Sequence, residues 1–176
     1  MTQGYVHIYT GKGKGKTTTA IGLAIRSLGW GRSSFIIQFM KGQPCGEMKF
    51  ILSLNNPLIT LEQYGCPDFF YPDDRSQFAL HREKALAGLK RAEEIIGQGK
   101  YDILILDEIL NAIHYGLIDE SSIVEILLSK PQEMELILTG RFASEKIIAM
   151  ADLVSEIEEI KHYYNKGIDA RKGIEF

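Results

Sequence analysis

Cysteine is scarce in this chain. Only Cys45 and Cys66 occur, too few for a disulfide framework or a four-ligand zinc site, and both read as reduced, structurally incidental thiols. No apolar run approaches the roughly 18 residues a membrane span needs. The start, MTQGYVHIYTGKGKGK, lacks the basic-then-apolar stretch of a secretory signal. A cytoplasmic location, with no membrane contact, is therefore expected. A net charge of −3 excludes a general nucleic-acid binder, whose footprint is basic. No repeat, low-complexity tract or linker divides the sequence, so one domain over residues 1–176 is expected. Acid is missing from one region altogether: residues 1–46 carry six lysines and arginines and neither Asp nor Glu. Something anionic is expected to dock near the N-terminal third.

What is present fits a soluble globular chain, with 45% hydrophobic and 24% charged residues. Short apolar strands are expected at 5–10 (YVHIYT), 34–39 (SFIIQF), 58–64 (LITLEQY), 101–108 (YDILILDE), 135–140 (ELILTG) and 153–160 (LVSEIEEI). Helical patterns lie between them: from about Gly15 to Leu28, from Arg75 to about Gly97, from Ser122 to Ser129, and over 144–151. Ser122-x-x-Glu125 has the form of a capping box. The segment 65–74, with Pro67 and Pro72, is expected to be loop. Alternating strands and helices predict an α/β fold with a mostly parallel sheet of about six strands flanked by helices.

The most informative stretch is Thr10-Gly-Lys-Gly-Lys-Gly-Lys-Thr-Thr18, between the first strand and the first helix. It ends as a Walker A loop does, in Gly15-Lys16-Thr17, although Thr10 stands where that pattern has its first glycine. Gly11, Gly13 and Gly15 let successive N–H groups converge on phosphate oxygens at a helix N-terminus. Lys12, Lys14 and Thr18 complete the loop as ATP-binding candidates; Lys16 is to bridge the outer phosphates and Thr17 to ligate magnesium. Asp107 and Glu108, at the carboxyl end of a buried strand, stand where a Walker B segment places its carboxylates. Which of the two touches the metal is left open by the spacing. Arg141 follows another apolar strand, where open α/β sheets gather ligands. Arg26 lies about three turns from the loop, so surface salt bridging rivals a phosphate contact. His7, His81, His114 and His162 show no metal-ligand spacing and read as structural.

Taken together, TGKGKGKTTTAIGLAIRSLGWG (10–31), QFMKG (38–42), LDEILNAIHYGLI (106–118), LILTGR (136–141) and ADLVSEIEEIKHYYNKGIDARKGIEF (151–176) resemble the ATP:corrinoid adenosyltransferases of the CobA/BtuR/CobO type. The terminal stretch is the most specific part, and Thr10 at the first Walker position is also how that family's loop looks. The resemblance implies a single-domain, P-loop NTPase-like (RecA-like) fold. It implies that a cobalt(I) corrinoid attacks the 5′ carbon of ATP and releases triphosphate, with the phosphates lying in the loop in reversed polarity. The cobalt is then the nucleophile, so no catalytic triad is expected. Gly11 to Thr18 match the triphosphate loop, and Lys16, Arg26 and Glu108 the catalytic set. Arg26 matches an arginine directed at the phosphates. Glu108 matches the acid of the Mg2+ (or Mn2+) site, with Asp107 beside it. Gln38, Lys41 and Arg141 fall in matching segments with roles less defined.

The resemblance further implies an external reductase or flavin as electron donor, a homodimer, and aromatic side chains that keep the corrinoid's lower ligand off the metal. Phe69 and Phe70 are the candidates for that last role, with ordinary packing as the alternative. The chain enters its first strand by Tyr5, so the extension that some members fold over the corrinoid is not expected. Two rival readings remain: a phosphoryl-transfer ATPase or kinase on the same fold, and a non-catalytic corrinoid or nucleotide carrier.

Overall fold

The structure is a computed structural model, and it describes residues 3–68, 70–71 and 75–176. Six strands form its sheet: β1 (Val6–Thr10), β2 (Ser34–Phe39), β3 (Ile59–Tyr64), β4 (Ile103–Asp107), β5 (Glu135–Thr139) and β6 (Leu153–Glu156). Their order across the sheet is β3-β2-β4-β5-β1-β6. Every pairing is parallel, as expected where connections run through helices. The helices are α1 (Lys16–Leu28), α2 (Gly46–Leu54), α3 (Phe78–Gln98), α4 (Ile109–His114), α5 (Glu120–Ser129) and α6 (Glu145–Ile148).

Side chains of a strand alternate between faces, and in β2, β4 and β5 both faces are buried, which explains their apolar runs. Phe35, Ile37, Leu104, Leu106, Leu136 and Leu138 join one core with Leu89 and Ala92 of α3 and Ile123 and Ile126 of α5. Ile36, Ile105 and Ile137 point the other way, onto Ala20, Ile21 and Ala24 of α1 and Ile51 of α2. The result is a three-layer α/β fold of the RecA-like, phosphate-loop kind. One strand, β5, separates β1 from β4, so the phosphate loop after β1 and the acids after β4 face each other across its end.

Several boundaries differ from expectation. The long helix starts as a 3-10 turn at Arg75–Gln77 and stops at Gly99, whose φ of 60° breaks the helix. The capping box at Ser122 is not used: α5 begins two residues earlier, behind Asp119, and no side chain caps it. Burial of Leu117 and Ile118 just ahead fixes the chain's entry and overrides the local signal. Two helices, α2 and α4, were not anticipated. Only Ile51 of α2 is buried, so its apolar periodicity is faint, while α4 spans barely more than one turn. The last strand ends at Glu156 rather than 160, because the chain turns there to cross the phosphate loop. Gly11 and Gly13 are needed for that crossing. A Cβ on Gly11 would meet the Ile157 carbonyl oxygen at 2.5 Å, and one on Gly13 the Glu158 carbonyl oxygen at 2.6 Å.

Candidate functional site

The loop joining β1 to α1 turns in the left-handed region at Gly11 (φ 96°) and Gly15 (φ 122°), conformations that favour glycine. Lys16 opens α1 and is buried. Its Nζ folds back to donate to the carbonyl oxygens of Gly11 and Gly13, both at 2.7 Å. Burial lowers the pKa of this ammonium and Arg141 adds to the effect, against the attraction of Glu108 and Asp107. A desolvated cation held over a glycine loop is poised to exchange carbonyl dipoles for phosphate oxygens.

Asp107, the last residue of β4, is completely buried and fully engaged. Oδ1 accepts from the hydroxyls of Thr17 (2.8 Å) and Thr139 (2.7 Å). Oδ2 accepts from Gln38 Nε2 (3.1 Å) and Lys41 Nζ (2.9 Å). Burial pulls its pKa up, but Lys41, Thr139 and Thr17 outweigh burial and hold the carboxyl below its ordinary range. Lys41 is shifted the other way: Asp107 overcomes the cost of burial and raises it. The register explains the network, since Gln38 lies directly opposite Asp107 on the neighbouring strand. Glu47 at the start of α2 accepts from the same Gln38 amide at 3.0 Å.

Glu108 stands differently. Its φ of 63° is left-handed, a strained setting for a side-chain-bearing residue. The strain is held by its N–H, which donates to Thr139 Oγ1 at 2.9 Å. Asn111 donates to its carboxylate. Burial, then the charge of Asp107, push the Glu108 carboxyl up, against Lys41, Lys16 and Arg141.

Around these groups lie two adjoining cavities. One, of about 580 Å³, is lined by Lys12, Gly13, Lys14, Gly15, Lys16, Thr17, Thr18, Glu108 and Arg141, and roofed by residues of the C-terminal segment that include His162, Tyr164 and Glu175. The other, of about 570 Å³, shares Thr17, Thr18, Glu108, Ile174 and Glu175 with it, and adds Ile21, Gly22 and Ile25 of α1 with Lys41 and Glu47. The expected residues of the loop, Glu108 and Arg141 are thus brought together. Arg26 is not: it sits in the last turn of α1, about 15 Å along the helix from Lys16, and lines neither cavity. Phe70 lines neither cavity; its ring packs on His81 (5.1 Å) and Tyr115 (5.3 Å). Phe69 lies outside the described residues. Sequence reasoning did not find Thr139, Asn111, His162 or Glu175. Strand register with Asp107 and the strand-end position of Thr139 were the available signals for the first.

The donor set suits a hard divalent cation. Glu108 and Thr17 line both cavities, and the Thr17 hydroxyl, which donates its proton to Asp107, keeps lone pairs with which to accept. Among the described residues no cluster of three or more His, Cys, Asp or Glu could hold a metal alone. Magnesium bound through one or two protein oxygens plus phosphates and water needs no such cluster.

A three-layer parallel sheet with a glycine loop at one strand end, and a threonine-bound aspartate at another, defines a nucleotide-binding protein of the phosphate-loop class. The family can be given more closely. The sequence model of the family described as ATP:corrinoid adenosyltransferase BtuR/CobO/CobP matches residues 2–176, and the chain belongs to that family. It is 35% identical over 176 residues to a corrinoid adenosyltransferase of Sinorhizobium sp, covering 99% of this chain and 81% of that protein. To a corrinoid adenosyltransferase of Escherichia coli it is 30% identical over 179 residues, covering 99% and 86%. With the corrinoid adenosyltransferase CobA of Salmonella typhimurium the identity is 28% over 179 residues, with the same coverages. The ATPase, kinase and carrier readings find no support in these comparisons. Among the described residues, no helix is long and apolar enough to cross a membrane.

Proposed function

We propose that this chain transfers the 5′-deoxyadenosyl group of ATP to the cobalt(I) centre of a corrinoid, with the triphosphate seated between the phosphate loop and the C-terminal segment. The observation that carries this reading is the cavity of about 580 Å³, in which four cationic side chains of the loop and of β5's end surround a space closed by the family-specific tail. In the reaction the cobalt–carbon bond forms as the bond between C5′ and the bridging oxygen breaks. The electron pair of that bond leaves with the triphosphate. Lys16, Arg141 and the loop amides stabilise the charge that accumulates there, which is electrostatic stabilisation of a departing anion. Lys12 and Lys14 add to the same field.

Glu108 and the Thr17 hydroxyl are the groups that would hold Mg2+ (or Mn2+), which when bound supplies further neutralisation of the phosphates. Asp107 acts one step back: it orients Thr17 and is itself neutralised by Lys41. On this reading the corrinoid is delivered as cobalt(I) by an external reductase or flavin, in the cytoplasm, to a homodimer of this chain. The test is anaerobic incubation with ATP, magnesium and chemically reduced corrinoid. Adenosylcorrinoid should appear in the absorbance spectrum with one triphosphate per turnover. A corrinoid spectrum that stays unchanged while phosphate accumulates would refute the assignment.

A further inference from the structure

We infer that the C-terminal segment after β6 is a strap latched onto the phosphate loop by Glu175, and that an incoming triphosphate opens the latch by taking Lys14 from it. The inference rests on the loop being the triphosphate site.

Glu175 is bonded at both carboxylate oxygens. Its Oε1 accepts from Lys14 Nζ at 2.7 Å and from the Tyr163 hydroxyl, and Lys14 also donates to that hydroxyl at 3.1 Å. Its Oε2 accepts from the Arg171 backbone N–H at 2.7 Å, while the Arg171 guanidinium lies 4.7 Å from the centre of the Tyr163 ring. A tight turn delivers the carboxylate, with the Gly173 N–H donating to the Phe176 carbonyl oxygen at 2.7 Å. Further back, the Gly13 N–H, a loop amide that phosphate would claim, donates to the Ile157 carbonyl oxygen at 2.7 Å.

The backbone bonds at Ile157 fix only the start of the strap, where the Ile157 N–H also donates to the Thr10 carbonyl oxygen at 2.8 Å. No residue from 157 to 176 is buried, and Ile160 is 94% exposed. A segment without a hydrophobic anchor is held by its polar contacts and opens at low cost. The principal contact here is an anion seated on the loop cation that a triphosphate also requires. Glu175 and Glu159 both line the loop cavity, so a polyanion entering it repels the strap at the moment it competes for Lys14. Lys14 already gives two of its three N–H groups to Glu175 and Tyr163, so a triphosphate that draws more than the remaining one breaks the latch. Glu175 also belongs to the wall between the two cavities, so its departure joins them and uncovers the site from the side of the tail.

The experiment uses the full chain, tripolyphosphate with magnesium as the probe, and limited trypsin digestion with mass spectrometry to follow cuts after Lys166, Arg171 and Lys172. Saturating tripolyphosphate should accelerate those cuts several-fold. Glu175→Gln should be cut rapidly without ligand, gain little on adding it, and bind tripolyphosphate at least threefold more tightly. Glu159→Gln is the charge control, since it removes the same charge from the same cavity and keeps an oxygen for Asn165, now 3.2 Å away; its cleavage should stay slow until ligand is added. Tripolyphosphate that binds but protects the strap, or leaves its cleavage unchanged, overturns the latch alone. Failure of tripolyphosphate to bind wild type at all overturns the loop assignment, and the latch with it.

Discussion

Lys16 and Arg26 are both cations of the first helix, yet the structure separates their expected contributions. Lys16 Nζ lies within the loop, 2.7 Å from two of its carbonyl oxygens, whereas Arg26 is exposed in the last turn. Lys16→Ala should lower turnover by about 10²–10³-fold, the scale of losing one charge-stabilising donor, with thermal stability changed by no more than about 1 kcal/mol. Arg26→Ala should stay within about twofold of wild type in the same assay. Glu108→Gln should raise the magnesium concentration for half-maximal turnover at least tenfold, and leave ATP binding in chelator near wild type.

Asp107 makes a different prediction, about stability. Replacing it with Ala leaves the Thr17 and Thr139 hydroxyls and the Gln38 amide without their shared acceptor, while the half-buried Lys41 keeps Glu47 at 3.7 Å, and should cost about 1–3 kcal/mol in chemical denaturation. Its folded pKa is depressed, so its stabilisation is present in full above the unfolded value of about 3.9 and is lost as pH falls through the folded one. Glu47 and Asp102 are also depressed, so the readout is a difference. Between about pH 4 and 2 the wild type should lose more stability than Asp107→Asn.

At the scale of elements, the site depends on how β5 meets α4. Gly140, with φ 146°, carries the chain from Thr139 to Arg141, and a Cβ there would strike Leu110 Cβ at 2.6 Å and Asn111 N at 2.9 Å. Asn111 in turn accepts from the Arg141 N–H at 2.7 Å and donates to Glu108. Gly140→Ala should therefore destabilise the protein by about 2 kcal/mol or more and misplace Glu108 and Arg141 together. Turnover should fall even at temperatures where the variant is fully folded by circular dichroism.

The same junction shows how far the sequence could be read. The strands β2, β4 and β5 were visible because burial on both faces makes them largely apolar, and β1 because it runs straight into the glycine loop. The loop was visible because its glycines and lysines act locally. Thr139 and Asn111 were not, since their roles arise from strand register and a one-turn helix that local periodicity does not reveal. Helix α5 misled for a related reason: a sound capping signal at Ser122 lost to the burial of Leu117 and Ile118.

The whole molecule places one cationic end of a parallel sheet beneath an unburied tail whose four acids balance four lysines and arginines, and the cationic end suits release of an intact triphosphate. The reaction is defined by the bond that breaks. If C5′ is attacked, the linkage between the β and γ phosphates is never touched. An ATP analogue with a non-hydrolysable β–γ bridge should therefore still donate its adenosyl group to reduced corrinoid, more slowly if its leaving-group charge is altered. The direct measurement is phosphorus NMR of the products beside the adenosylcorrinoid spectrum under anaerobic conditions. Adenosylcorrinoid should form together with one intact triphosphate analogue per turnover. ADP forming from ATP in proportion to turnover, or an analogue that binds tightly and yields no adenosylcorrinoid, would contradict it.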